Sequence, residues 1–148
     1  MTQTRTDVLA LGNAIVDVLA TAEEDFLIAQ KLTKGAMMLI DETRAESLYA
    51  AMGPARIISG GSAANTIAGL ASFGGKGAFI GKVRGDELGK LYRHDLTSLG
   101  VAFGTADATE GPATARSFIN VTPDGERTMN TYLGACQGLS VADVDAKA

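Results

Sequence analysis

Gly60-Gly61-Ser62-Ala63-Ala64-Asn65 places two glycines, then a serine and an asparagine, between an apolar stretch ending at Ser59 and a run of small residues. Glycines let backbone approach a ligand closely. Short polar side chains beside free N–H groups at a helix start can meet hydroxyl groups. The same pattern also fits a tight turn with Ser62 as an N-cap, and local chemistry alone favours that reading. A second cluster is Gly12-Asn13-Ala14-Ile15-Val16-Asp17, where a carboxylate could accept hydrogen bonds from two adjacent hydroxyls, each worth roughly 1.5–3 kcal/mol.

The elements that must position these residues follow from periodicity. Short apolar runs at 7–12, 15–20, 36–40, 56–59 and 78–80 read as strands, with a restart of extended chain at 101–105. Helices are predicted at 23–30, after an Asp41 cap up to Gly53-Pro54, at 63–73 with Gly74-Gly75 as the stop, and at 86–99 ended by Gly100. Residues 114–121 and 127–133 flank Pro123-Asp124-Gly125, a hairpin signal. Strand and helix alternate through the first two thirds, which predicts a parallel α/β sheet followed by a hairpin-rich stretch. A capped helix starts at Ser140 and is cut short within about two turns, which reads as truncation.

With 148 residues, 46% hydrophobic and 20% charged, the chain is long enough for one domain with a core. A net charge of −4 argues against a phosphate backbone or an anionic membrane as partner. No apolar run approaches the ~18 residues of a membrane span. The start lacks the apolar core of a signal peptide and Cys136 is a single cysteine, so a cytoplasmic location is expected. Cys136 has no nearby histidine and reads as inert, His94 lacks metal-ligating neighbours, and the Asn120-Val121-Thr122 sequon is idle without secretion.

Taken together, the G-G-x-x-x-N segment, the small-residue helix after it, the turn Gly85-Asp86-Glu87-Leu88-Gly89 and the N-terminal G-N-x-x-x-D run resemble the PfkB, or ribokinase-like, kinase family over essentially the whole chain. The resemblance implies a three-layer α/β/α fold with a small β-sheet lid, incomplete at the C-terminus. Residues 1–148 would be the N-terminal part of one such domain, with lid strands within 14–20, 36–40 and 113–133. It implies that Asp17 holds the diol of a ribose-like substrate beside Asn13, with Gly60, Gly61, Ser62 and Asn65 closing the pocket and Met37 and Leu39 lining the lid. Ser62 in G-G-S-x-x-N is similar to the adenosine-kinase-like branch, and an apolar lid suits a nucleobase. Arg116 and Arg127 are possible contacts, with surface ion pairs the alternative role for each.

A kinase must also place a phosphoryl group and accept a proton. Gly75-Lys76, Gly81-Lys82 and Gly89-Lys90 all lack the glycine five positions earlier and the Ser/Thr that a P-loop requires. The family's second signature, D-T-x-G-A-G-D, is missing. No catalytic or metal-binding residue is therefore assigned. The resemblance implies ATP and Mg2+ as cofactors of the complete enzyme and none bound by this chain alone, which is expected to be inactive. The expected partner is a small sugar or nucleoside, with adenosine favoured over ribose, fructose or deoxy-gluconate, and a homodimer through lid strands is plausible. A non-catalytic sugar- or nucleoside-binding module is the alternative. A dinucleotide-binding domain is disfavoured because G-x-G-x-x-G does not follow the first strand.

Overall fold

A computed structural model describes residues 6–144. Its elements run β1 (Val8–Leu11), β2 (Ile15–Thr21), α1 (Glu24–Ala29), β3 (Met37–Leu39), α2 (Glu42–Ala51), β4 (Arg56–Ser59), α3 (Ser62–Ser72), β5 (Gly77–Ile80), α4 (Glu87–Ser98), β6 (Ala115–Val121) and β7 (Arg127–Tyr132). Short 3-10 turns follow at Gly134–Gly138 and Val141–Asp143.

The strands divide between two sheets. β1 and β5 pair in parallel, and the other five form a mixed sheet in the order β3-β7-β6-β2-β4. This corrects the expectation of one parallel sheet through the first two thirds. Burial explains the division. All four residues of β5 are buried, as a strand covered on both faces requires. β4 is at most half-buried, which suits the edge position it takes, antiparallel to β2. The stretch 101–105 also departs from expectation, since it makes only a bridge from Ala102 to Ala78 beside β5.

Two apolar clusters hold the layers together. Ile67 on α3, Phe79 on β5, Tyr92 and Leu96 on α4, Val16 and Phe103 form one. Val18, Phe118 and Tyr132, beneath Ala45 and Leu48 of α2, form the other. Each fully buried large side chain contributes about 1.5–3 kcal/mol. The Asp41 cap read from sequence is present, accepting from the Arg44 N–H at 2.7 Å; Asp86, expected as the first helical residue, instead caps α4 by accepting from the Gly89 N–H at 2.8 Å. The β6–β7 hairpin turns at Thr122–Glu126, with Gly125 at φ +83°. Ser140 is held by Asp143, whose carboxylate accepts from its N–H and hydroxyl. The predicted helix there is only a 3-10 turn up to Asp143, and residues 145–148 lie outside the described part.

Candidate substrate site

Register places the candidate residues. Asp17 on β2 faces Ile58 on β4 and Ser117 on β6, Ser117 faces Thr131 on β7, and Thr131 faces Leu39 on β3. One row therefore crosses the five-stranded sheet as Ile58, Asp17, Ser117, Thr131 and Leu39. Side chains two residues apart share a face, so Met37, Met129 and Ile119 stand on the same side. Asp17 and Leu39 are three interstrand steps apart, roughly 14 Å at about 4.8 Å per step. Met37 and Leu39 are 55% and 60% exposed, so they line an open face and are not core packing.

The glycine pair fits this row closely. A Cβ on Gly60 would lie 2.3 Å from Asp17 Oδ2, and one on Gly61 would lie 2.5 Å from the Asn13 carbonyl. Gly61 also has φ +90°, a conformation L side chains rarely adopt. Gly61 is itself the residue that caps α3, so Ser62 is the first helical residue and not the N-cap. Asn13, Ser62 and Asn65 are exposed around the start of this 11-residue helix. Asn13, Asp17, Gly60, Gly61, Ser62 and Asn65 are thus brought together, with Met37 and Leu39 on the same face at a distance.

Asp17 is half-buried, and among the described residues its carboxylate receives no hydrogen bond from the protein. Burial raises its pKa above the ordinary carboxylate value, and the Arg127 guanidinium draws it part of the way back. Arg127 shares the face of Asp17 and is exposed. Arg116 does not belong here. It faces Val16 and Tyr132, which puts it on the opposite side of the sheet, ion-paired to Glu46 at 2.7 Å and lying over Phe118 and Tyr132.

Two residues that the sequence did not single out stand in the row. Ser117 and Thr131 are buried, and their hydroxyls are 2.9 Å apart. No regular alternation of polar and apolar residues along β6 or β7 marks them. Only the register tells which face they occupy.

The turn Gly85-Asp86-Glu87-Leu88-Gly89 has a structural role. Asp86 caps α4 and also accepts from the Thr114 N–H at 2.9 Å and its hydroxyl at 2.6 Å, which anchors the start of β6. Burial works to raise the Asp86 pKa, but the hydrogen bonds from Thr114 and Gly89 outweigh it and hold the carboxyl below its usual value. Gly89 leaves no room for a side chain, since its Cβ would meet the Arg84 carbonyl at 1.8 Å.

Other features fall away from the site. A hollow of ≈ 400 Å³ between α1, β3 and α2 is lined by Gln30, Met38, Arg44 and Asn130, and also by Leu39 of the candidate row. Met38 and Asn130 belong to the face opposite Asp17. Cys136 is buried, which pushes its thiol up to about 11. His94 is exposed and its ring meets Ser98, and Asn120 of the sequon is only 1% exposed. Among the described residues no group of three His, Cys, Asp or Glu could hold a metal ion.

Adenosine kinase from Sinorhizobium meliloti is 54% identical, with a TM-score of 0.91 over 96% of this chain and 43% of that structure. A probable sugar kinase from Rhizobium etli is also 54% identical, with a TM-score of 0.92 over 97% of this chain and 44% of that structure. Fructokinase from Solanum tuberosum is 36% identical over 73 residues, 49% of this chain and 23% of the fructokinase. The chain thus spans less than half the length of these relatives, with the ribokinase-like α/β fold they share. Since residues 6–147 also match the family described as pfkB family carbohydrate kinase, the chain belongs to that family.

Proposed function

We propose that this chain is the substrate-binding part of an ATP-dependent kinase that phosphorylates a primary hydroxyl of a nucleoside, adenosine before simple sugars. The observation that carries the reading is Asp17, a half-buried carboxylate with no protein donor, on an open sheet face beside the start of α3. Adjacent hydroxyls of a ribose would supply the missing donors, and each charge-assisted bond would contribute roughly 1.5–3 kcal/mol. Ser117 and Thr131 offer further hydroxyl partners. Met129, Met37 and Leu39 offer an apolar surface across which a base can lie. The 54% identity to an adenosine kinase favours the nucleoside, whereas the equally similar probable sugar kinase and the fructokinase keep a sugar as the second reading.

In this reading the five-stranded sheet is the lid, its exposed β3 edge is the route to a homodimer, and the protein works in the cytoplasm. The chain binds and orients the alcohol. Phosphoryl transfer needs ATP, Mg2+ and a base supplied by further sequence of the kinase, so this chain alone is expected to be inactive. Calorimetric titration of the chain with adenosine, ribose and fructose tests the proposal. Adenosine should bind most tightly, and Asp17→Ala should weaken it by about tenfold or more. Unchanged affinity in that variant would remove Asp17 from the site. Submicromolar binding with no requirement for ATP would favour a non-catalytic nucleoside-binding module.

A further inference from the structure

Helix α4 grips the end of β4 at two consecutive residues. Fully buried Tyr92 donates its hydroxyl to the Gly60 carbonyl at 3.2 Å, and Asp95, three residues further on, accepts from the Ser59 hydroxyl at 2.6 Å. The Gly60 N–H donates to the Ile15 carbonyl at 2.8 Å, so the Gly60 residue is held at both its N–H and its carbonyl. The hold falls where the chain is least able to hold itself, because two adjacent glycines restrict their own backbone less than any other pair. Gly60 is also the residue against which the Asp17 carboxylate lies.

Tyr92 is itself fixed by packing. Its ring centroid is 6.2 Å from that of Phe79 and 5.9 Å from that of Phe103. Burial, then the Asp17 charge, then Cys136 push its phenol above the usual range, so it remains a neutral donor throughout the range of physiological pH. Asp17 acts on Tyr92 through this field, which places the two groups in one electrostatic neighbourhood although no hydrogen bond joins them.

We propose that Tyr92 is a positioning residue for the Asp17 carboxylate, acting through the Gly60 carbonyl. Without the hydroxyl, that carbonyl loses its buried donor, the Gly60-Gly61 turn moves toward water, and the carboxylate loses the backbone surface that keeps it half-buried and aimed at the open face. The role rests on the reading of Asp17 as the substrate carboxylate.

The test uses Tyr92→Phe, which keeps the ring and its packing, in the whole chain. Tyr49→Phe, at a residue outside the site, is the control. Two readouts separate positioning from mere stability: titration of the Asp17 carboxyl carbon by NMR, and adenosine affinity in a cycle with Asp17→Asn. In Tyr92→Phe the Asp17 midpoint should fall toward the ordinary carboxylate range as water reaches it. Adenosine affinity should drop roughly tenfold, with no further loss when Asp17 is already Asn. A lower melting temperature with both the Asp17 midpoint and the affinity unchanged would overturn the proposal. If the midpoint moves while Asp17→Asn leaves adenosine binding intact, the positioning role stands and the substrate reading of Asp17 falls instead.

Discussion

Asp17 carries a stability cost. Its folded pKa lies above the unfolded value because burial disfavours the charge. The folded state therefore binds the proton more tightly, and stability falls as pH rises from the unfolded pKa through the folded one. At neutral pH the ionised, unpartnered carboxylate opposes folding. Asp17→Asn should accordingly raise the melting temperature at pH 7 by about 1–4 °C, and the gain should vanish in acid where Asp17 is protonated. The same variant should weaken adenosine binding about tenfold. Thermal scans at pH 3.5 and 7 beside calorimetric titration check both halves, and a variant less stable at pH 7 would contradict the first. Gly60→Ala is the steric counterpart. Its methyl group must displace the Asp17 carboxylate from 2.3 Å, with an expected loss of about 1–3 kcal/mol in denaturant unfolding and a clear loss of ligand affinity.

At the scale of elements, α4 connects the pieces that sequence reading left separate. Its N-cap Asp86 anchors β6 through Thr114, and its middle holds β4 through Tyr92 and Asp95. Asp86→Ala removes the cap and both Thr114 bonds and should cost about 2–3 kcal/mol in urea unfolding. Because the Asp86 carboxyl is held below its usual value, its stabilisation is full above the unfolded pKa and is lost as pH falls through the folded one. The difference between wild type and Asp86→Ala should shrink on acidification over that window. Periodicity made these elements legible one by one: the Asp41 cap, the Gly125 turn and the small-residue helix α3 all sit where their local chemistry puts them. Sheet membership was not legible, since β4 and β5 are both short apolar runs and only their burial by distant elements separates edge from centre. For the same reason the sequence placed Asp17, Gly60 and Gly61 together but left Arg116 a candidate and passed over Ser117 and Thr131. Strand register decides those faces, and a one-residue slip would reverse every one of them.

Over the described part of the molecule, two strand edges each carry three exposed large apolar side chains. Val8, Leu9 and Leu11 of β1 are 44%, 48% and 59% exposed, and β1 pairs only with β5 among the described strands. Met37, Met38 and Leu39 of β3 are all more than half exposed at the edge of the five-stranded sheet. Unpaired apolar edges template association, and the two edges should behave differently. The solved relatives are more than twice as long as this chain, and in the proposed reading β1 would be the edge covered in a longer kinase. In the proposed reading β3 borders the sheet that would face the ligand, and pairing there would leave the core complete. In sedimentation velocity of the chain, Met38→Lys should convert a discrete dimer to monomer and leave larger species untouched. Leu9→Lys should instead suppress concentration-dependent aggregation and leave the dimer in place. Loss of the dimer in Leu9→Lys, with no effect of Met38→Lys, would move the interface from the lid edge to the core edge.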